Sequence, residues 1–342
     1  MRLRGVTNLV TKNVKKIGIM GAGAWGTALA CVAAKAGHET LIWAYEPEVV
    51  AAINEHHENT VFLKGVALPT SITATNDMAE MAEMDAILWV TPAQVVRHVG
   101  KAFAEFLKRP IPVLICAKGI EVSSRKLLTD VLAEVLPIAK AGILSGPSFA
   151  IDVAQGLPTA ITLAMEDAEV GQELAQALSI PTFRLYHSTD IIGAQIGGAV
   201  KNVLAIATGI SDGKGFGDSA RAALTTRGFA ELTRFGVALG AKRETLFGLS
   251  GLGDLTLTAN SATSRNMSLG MALGQGQTLQ QIMDARQSVS EGVHTSTILA
   301  KWAKELNIDM PICQTVADIV AGDLDVNKAI ENLLNRPLKK EE

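Results

Sequence analysis

The sequence lacks the features that mark several common classes of protein. Of its 342 residues only three are cysteines, Cys31, Cys116 and Cys313, and their wide separation gives no metal-binding spacing. Their odd number, without a secretory signal, predicts reduced thiols in a cytosolic protein. No uncharged apolar run reaches the roughly 18 residues of a membrane span.

A strong excess of either charge is also missing. The formal net charge is −3, so nothing general indicates nucleic acid or an acidic membrane surface as a partner. The chain is 48% hydrophobic and 19% charged, a composition far from that of disordered proteins. Its length suits roughly two domains, and no solenoid repeat is visible.

What the sequence does have is a glycine cluster in the stretch IGIMGAGAWGTALA. A short apolar run, 17–20, predicts a buried strand, and 25–36 predicts a helix. Between them Gly21 allows a tight turn, Gly23 lets a pyrophosphate approach the backbone, and Gly26 lets the helix pack closely on the strand. The order of strand, glycines and helix favours dinucleotide binding over a plain helix start.

Short apolar runs alternate with helical stretches over the first half of the chain, which predicts a doubly wound, mostly parallel sheet. These runs are 40–44, 86–91, 112–117, 141–146, 159–165 and 183–188, with helices expected at 123–136 and 168–178. Beyond residue 189 only helical patterns follow. We therefore expect an α/β N-terminal, Rossmann-like, doubly wound sheet plus an all-α C-terminal domain.

The domain boundaries follow from the same change of pattern. The prediction is an N-terminal extension over 1–14, a dinucleotide-binding domain over 15–189, a helical substrate and catalytic domain over 190–335, and a tail over 336–342. In a sheet of this kind ligands bind beyond the carboxyl ends of the strands. Functional residues are therefore expected just after the strands.

The end of the second strand bears on the choice of dinucleotide. In NAD-binding proteins an acidic residue about 20 positions past the glycines holds the ribose 2′-hydroxyl. Glu46 lies near that place, but Ala44 and Tyr45 occupy the strand tip, and no arginine follows to bind a 2′-phosphate. The spacing leans toward NAD and leaves NADP open, and Glu46 is equally consistent with a solvated loop residue.

Two candidates follow later strands. Lys118, in AKGIE, comes directly after the run 112–117, either as a site residue at the ligand edge or as a surface lysine. The stretch SGPSFA follows the run 141–146. Its Gly-Pro step makes a sharp turn whose N–H groups and Ser148 hydroxyl could meet an anion, or which is an ordinary turn.

Lys201 is the unusual residue of the second half. It lies in the middle of the apolar helix pattern IGGAVKNVLAIATG, so it must either reach an exposed face or enter a polar cavity. Desolvation in a cavity would lower its pKa and suit it to proton transfer near neutral pH. The neighbouring Asn202 adds a hydrogen-bond donor and acceptor.

The last cluster is in the stretch 248–266, whose glycine-rich start predicts a loop. Asp254 is a carboxylate that could pair with a buried lysine. Ser264, Arg265 and Asn266 open a predicted helix, where a capping hydroxyl, a guanidinium and the positive helix end suit a phosphate. An ordinary N-cap followed by a surface arginine would give the same sequence.

Taken in this order, the motifs resemble those of the bacterial NAD(P)-dependent glycerol-3-phosphate dehydrogenases. The matching stretches are GAGAWGTALA, AKGIE, SGPSFA, VKNVLAIATGISDG, TTRGFAE, GLSGLGDLTLT, SRN and SEGVHT. The resemblance implies interconversion of dihydroxyacetone phosphate and sn-glycerol 3-phosphate with NAD or NADP, without a metal, supplying phospholipid synthesis. It also implies a homodimer. Ala259, where the family often has cysteine, and Asp218, where it has asparagine, depart from the pattern.

The resemblance implies a role for individual residues. Lys201 would be the catalytic proton donor and acceptor, with help from Thr258. The implied substrate contacts are Lys118, Gly146, Ser148, Lys201, Asp254, Ser264, Arg265 and Asn266. The implied cofactor contacts are Gly21, Gly23, Ala24, Trp25, Gly26, Tyr45, Lys118, Ala150, Arg265, Val289 and Glu291.

Two other functions stay open at this point. A related two-domain dehydrogenase could act on a hydroxy acid, which would need a carboxylate clamp rather than phosphate donors. A dinucleotide-binding regulator without catalysis would not need the cost of a buried lysine. Comparing glycerol phosphate with hydroxy acids as substrates separates the first alternative, and a turnover assay separates the second.

Overall fold

A computed structural model describes residues 14–285 and 290–337 of the chain. Residues 1–13 of the predicted extension, residues 338–342 of the predicted tail, and Val289 lie outside the described residues. The chain divides into two compact units. One contains the residues up to Ala117 and Lys126–Ala194, and the other contains Lys118–Arg125 and the residues from Gln195 onward.

The first unit is built on an eight-stranded sheet with the order β3-β2-β1-β4-β5-β6-β7-β8. The strands are β1 Lys16–Met20, β2 Glu39–Trp43, β3 Ile72–Thr75, β4 Ala86–Trp89, β5 Pro112–Ile115, β6 Lys140–Ser145, β7 Thr159–Met165 and β8 Phe183–Ser188. Strands β1 to β6 run parallel, whereas β7 pairs antiparallel with β6 and β8 parallel with β7. The strand order reverses between β1 and β4, the place where doubly wound sheets bind ligands.

Both faces of this sheet are covered by helices. They are α1 Ala24–Lys35, α2 Pro47–His56, α3 Val96–Phe103, α4 Leu128–Val135, α5 Ala150–Gln155 and α6 Ala168–Leu178. Successive strand residues alternate between two apolar cores: Ile19 and Ile42 belong to one, and Met20 and Trp43 to the other. Burial on both faces explains why the strands read as continuous apolar runs in the sequence.

The second unit is helical. Its helices are α7 Ile191–Gly213, which starts in the first unit, α8 Gly217–Ala238, α9 Arg243–Phe247, α10 Asp254–Ala259, α11 Arg265–Gly274, α12 Leu279–Asp284, α13 Glu291–Glu305, α14 Pro311–Ala321 and α15 Val326–Leu334. Among the described residues, α7 is the one helix whose length and apolar composition would allow a membrane crossing, and it is mostly buried, as core helices are.

The predicted fold class, a doubly wound sheet followed by a helical domain, is confirmed. Local predictions were wrong at three places. The helix expected from residue 123 begins at Leu128, after turns that include Arg125 with a φ of 59°. The strand β3 was not expected, and the glycine-rich stretch 248–253 forms a wide helical turn over Leu249–Gly253 instead of a loop.

Glycines on α7 and α11 let these two helices cross at backbone distance. A Cβ built on Gly209 would lie 2.1 Å from the Met267 carbonyl oxygen, and one on Gly270 would lie 2.1 Å from the Ile206 carbonyl oxygen. Side chains at these positions would hold the helix axes apart. The crossing therefore fixes the start of α11 relative to the middle of α7, where Lys201 lies.

We expect Gly209→Ala to lower the free energy of unfolding by about 3 kcal/mol, because the added methyl group meets backbone that cannot move aside. Gly228→Ala is the matched control, since the atoms nearest to its Cβ would belong to the Leu204 side chain, the first at 2.7 Å, and not to backbone. The better helix propensity of alanine offsets that contact, so the control should change stability by about 1 kcal/mol or less. Urea unfolding followed by circular dichroism measures both, and equal losses would contradict the proposed crossing constraint.

Candidate active site

The glycine loop of the first unit has the geometry that its sequence predicts. Gly21 has a φ of +121°, and a Cβ there would lie 3.1 Å from the Thr91 amide nitrogen beyond β4. A Cβ on Gly26 would lie 2.0 Å from the Gly21 carbonyl oxygen, so only glycine allows α1 to start so close to β1. A Cβ on Gly23 would meet nothing within 4 Å, which leaves the middle of the loop open.

The start of α1 suits an anionic ligand. Its N-cap, Gly23, offers no side-chain cap, its first turn carries no acidic residue, and the first intrahelical bond runs from the Thr27 N–H to the Gly23 carbonyl, 2.9 Å away. The N–H groups of Ala24, Trp25 and Gly26 come before it in the chain and therefore have no acceptor within the helix. The indole Nε1 of Trp25 is buried without a hydrogen-bond partner among the described residues. The loop therefore fits a dinucleotide diphosphate.

The other predicted site residues of the first unit follow the strands β2 and β6. Tyr45 follows β2 and is 81% exposed. Gly146 follows β6, where a Cβ would lie 2.8 Å from Ile161, so glycine is required by close packing. The Ser148 hydroxyl donates to the Gly146 carbonyl at 3.1 Å and shapes that turn. Ala150 is the first residue of α5 and packs against the core that includes Ala22.

The second unit holds a buried cluster around one carboxylate. The Lys201 Nζ lies 2.6 Å from Asp254 Oδ1 and 2.6 Å from Thr258 Oγ1. Asp254 is the first residue of α10, directly after the wide turn Leu249–Gly253. Thr258 lies one helical turn later, and its hydroxyl donates to the Asp254 backbone carbonyl at 2.7 Å. Lys201 is 7% exposed and Asp254 1%. The lysine therefore does not lie on an exposed helix face.

Lys118 binds the second oxygen of the same carboxylate. Its Nζ lies 2.6 Å from Asp254 Oδ2, and its side chain is 17% exposed. The Asn202 amide donates to the Lys118 carbonyl at 3.3 Å, which ties the segment 118–125 to α7 within the second unit. Two ammonium groups thus share one buried carboxylate.

Burial is the main reason why the pKa of Lys201 is lowered from 10.5 to about 8. The Asp254 carboxylate opposes this shift, and the positive charge of Lys118 adds to it. Near neutral pH the amine can therefore both give up and take back a proton, which is the property that general acid–base catalysis requires. An ammonium has three N–H donors, and the bonds to Asp254 and Thr258 leave one proton of Lys201 without an acceptor among the described residues.

The start of α11 brings the remaining predicted residues together. The Ser264 hydroxyl accepts from the Met267 N–H at 3.2 Å and caps the helix, and the exposed Arg265 follows as its first residue. The Asn266 side-chain oxygen accepts from the Gly292 N–H at 3.1 Å. A Cβ on Gly292 would lie 2.7 Å from both the Asn202 carbonyl and the Asn266 side-chain oxygen, so glycine is needed there. Glu291 is the first residue of α13, beside Gly292.

The sharing of Asp254 by two lysines could not be read from the sequence. Lys118 and Lys201 lie 136 and 53 residues from Asp254, and no pattern links such distant positions in a single chain. The described residues contain no group of three or more histidine, cysteine, aspartate or glutamate side chains that could hold a metal ion. The cluster itself consists of two ammonium groups, a carboxylate and a hydroxyl group.

The dinucleotide-binding loop and the buried lysine cluster define the class of a nucleotide-dependent dehydrogenase. Two family models match the chain: the N-terminus of NAD-dependent glycerol-3-phosphate dehydrogenase over residues 16–171, and its C-terminus over residues 190–331. The chain belongs to the NAD-dependent glycerol-3-phosphate dehydrogenase family. The resemblance stated from the motifs is thereby confirmed.

Individual relatives agree with this assignment. The chain is 60% identical over 332 residues to a glycerol-3-phosphate dehydrogenase [NAD(P)+] of Parvibaculum lavamentivorans, covering 97% of this chain and 100% of that protein. It is 56% identical to one of Caulobacter vibrioides, covering 96% and 99%. The crystal structure of a glycerol-3-phosphate dehydrogenase from Coxiella burnetii superposes with a TM-score of 0.90 at 37% identity, covering 94% of this chain and 99% of that one.

The lowered pKa of Lys201 predicts how stability depends on pH. The pKa of Lys201 is about 8 in the folded protein and 10.5 in the unfolded chain. The stability that this group contributes is therefore fully present above pH 10.5 and is lost as the pH falls through 8. Between pH 7.5 and 9.5 the free energy of unfolding should rise by about 2 kcal/mol from this group. Urea unfolding at the two pH values measures the rise, and in Lys201→Met this part of it should disappear. An equal rise in both proteins would contradict the lowered pKa.

Proposed function

We propose that this chain catalyses the NAD(P)-dependent interconversion of dihydroxyacetone phosphate and sn-glycerol 3-phosphate. The observation that carries the proposal is the buried Lys201, whose Nζ is held 2.6 Å from both Asp254 and Thr258 and keeps a third proton available. A protein that only bound nucleotides would gain nothing from burying this charge. Family membership narrows the reaction to the named dehydrogenase activity.

The glycine loop and the residues after β2 and β6 are proposed to hold the dinucleotide. Gly21, Gly23, Ala24, Trp25 and Gly26 would bind its diphosphate through backbone N–H groups. The other proposed cofactor contacts, Tyr45, Lys118, Ala150, Arg265, Val289 and Glu291, are carried over from the family's motifs. When bound, the nicotinamide cofactor supplies or accepts the hydride at C2 of the substrate.

Lys201 is proposed to move the proton of the reaction. In the direction of reduction, its ammonium group stabilises the negative charge that grows on the carbonyl oxygen and then donates its proton to that oxygen. In the direction of oxidation, the neutral amine takes the proton of the C2 hydroxyl. Asp254 and Thr258 hold the amine in place, and Lys118 contributes a second positive charge beside the same carboxylate.

The start of α11 is proposed to bind the substrate phosphate. The guanidinium of Arg265, the Asn266 amide and the N-terminal end of a ten-residue helix offer several donors to one anion. Ser264 supports them by capping the helix. Gly146 and Ser148 complete the proposed substrate contacts together with Lys118.

The proposal extends to the location and the assembly of the protein. Three buried cysteine thiols support a cytoplasmic protein, and the product would serve phospholipid synthesis. We also propose that the protein is a homodimer, as the family resemblance implies.

The tip of β2 bears on the choice of cofactor. Since Ala44 and Tyr45 offer neither an acid nor an arginine there, we propose that both NAD and NADP are accepted.

The direct test measures initial rates of dihydroxyacetone phosphate reduction by the purified chain with NADH and with NADPH. The proposal requires turnover with at least one of them. Turnover of 2-keto acids but not of dihydroxyacetone phosphate would favour a hydroxy acid dehydrogenase. Nucleotide binding without any turnover would favour a regulator.

Replacing Lys201 should remove catalysis and spare cofactor binding. We expect Lys201→Met to lower kcat by about 10²–10⁴-fold, the usual contribution of a general acid–base group, with the Kd for NADH nearly unchanged. Lys214→Met is the control, because the ammonium of this half-buried lysine just beyond α7 donates to the Asn327 side chain, at 2.7 Å, and has no proposed role in the reaction. Stopped-flow kinetics and NADH titration give both quantities, and a wild-type kcat in Lys201→Met would exclude it from the mechanism.

Replacing Arg265 should weaken recognition of the phosphate selectively. We expect Arg265→Ala to lower kcat/KM for dihydroxyacetone phosphate by about 10- to 150-fold, which corresponds to the loss of about 1.5–3 kcal/mol for a charge-assisted hydrogen bond. The rate with unphosphorylated dihydroxyacetone should change much less. Arg243→Ala is the matched control, since Arg243 is also an exposed arginine at the first position of a helix. Equal losses on both substrates would assign Arg265 to the cofactor or to the fold.

A further inference from the structure

Asn59 is a completely buried polar residue that none of the proposed roles uses. It follows α2, two residues after the C-cap His57, and its relative exposure is 0%. Its amide Nδ2 donates to the Ala22 carbonyl at 2.7 Å and to the Thr27 hydroxyl oxygen at 2.8 Å. Its Oδ1 accepts from the Phe62 N–H at 3.0 Å, which fixes the orientation of the amide. All of these residues belong to the first unit.

These bonds end on the glycine loop. Ala22 is the residue between Gly21 and Gly23, and Thr27 lies on the first turn of α1. The Thr27 hydroxyl in turn donates to the Gly23 carbonyl at 3.0 Å and reaches the Ala22 carbonyl at 3.3 Å. Asn59 and Thr27 thus hold the carbonyl groups of Ala22 and Gly23, whose peptide planes carry the N–H groups of Gly23 and Ala24.

The loop needs such a support. Glycines give a backbone many accessible conformations, so a diphosphate would have to order them at the expense of its own binding free energy. Carbonyls that are held from behind keep the peptide planes, and therefore the N–H groups of the same planes, in a fixed direction. A loop ordered in advance binds more tightly than one that must be ordered by its ligand.

We propose that Asn59 is a positioning residue for dinucleotide binding, which acts by holding the Ala22 carbonyl and the Thr27 hydroxyl so that the loop is ordered before the ligand arrives. The inference rests on the proposed function, because it assumes that the loop binds the diphosphate of a dinucleotide. It predicts that Asn59 affects the binding of the diphosphate but neither the binding of the adenine nor the reaction at the substrate carbon.

The test compares two probes, ADP-ribose and adenosine, by isothermal titration calorimetry. In Asn59→Ala the Kd for ADP-ribose should rise about tenfold or more, because the bonds to the Ala22 carbonyl of the loop and to the Thr27 hydroxyl of α1 are lost, while the Kd for adenosine stays within about twofold. The KM for NADH should rise with kcat nearly unchanged. Asn54→Ala is the matched control: its amide makes a similar pair of bonds to the Ala74 backbone, at 2.9 and 2.8 Å, away from the loop. This control should bind both probes as the wild type does.

A second variant covers the case in which Asn59→Ala does not fold. Thr27→Val keeps the volume of the side chain and removes the hydroxyl that accepts from Asn59, so it should weaken ADP-ribose in the same way. In the double variant the two losses should be less than additive, because both residues support the same carbonyl. Unchanged ADP-ribose binding in the folded variants, or equal weakening of adenosine, would overturn the inference. Failure of the wild type to bind ADP-ribose would overturn the proposed function itself.

Discussion

The carboxylate of Asp254 is the group on which the chemistry of the second unit depends. Each of its oxygens lies 2.6 Å from a lysine Nζ, Lys201 on one side and Lys118 on the other. Burying two ammonium groups side by side would be prohibitive without a negative charge between them. The carboxylate keeps Lys201 protonated near neutral pH, while burial and Lys118 keep that proton labile. Proton transfer is possible because these opposing influences nearly balance.

The helical fold serves to keep this balance in place. Lys201 lies on α7, Asp254 and Thr258 on α10, and Lys118 on the short segment 118–125 of the same unit. A Cβ on Gly197 would lie 2.3 Å from the Ser250 carbonyl oxygen, so α7 meets the wide turn before α10 at backbone distance. The glycine contacts between α7 and α11 likewise hold the start of α11, the proposed phosphate-binding site, close to α7. Small residues thus determine how closely the polar groups can converge.

Much of this arrangement was predictable from the sequence, and the remainder was not for identifiable reasons. The strands β7 and β8 and the helix α6 have the predicted bounds, and the apolar helix pattern around Lys201 lies within α7. Lys201 was predicted to be unusual, since a charged side chain in an apolar helix must either reach an exposed face or enter a polar cavity. The antiparallel direction of β7 and the wide turn at Leu249–Gly253 depend on packing between distant segments, which local patterns do not encode. Asn59 escaped notice because a single asparagine after a helix is ordinary in a sequence, and only its burial and its bonds to Ala22 and Thr27 distinguish it.

The most direct test of the central role of Asp254 is the pH profile of kcat/KM for glycerol 3-phosphate oxidation in the wild type and in Asp254→Asn. In the proposed mechanism oxidation needs the neutral amine of Lys201, so the wild-type profile should rise through the pKa of about 8. Removing the carboxylate takes away the charge that raises this pKa and leaves Lys118 beside Lys201. The midpoint of the remaining activity should therefore move down by about one pH unit or more. A midpoint that stays in place or moves up would contradict the account.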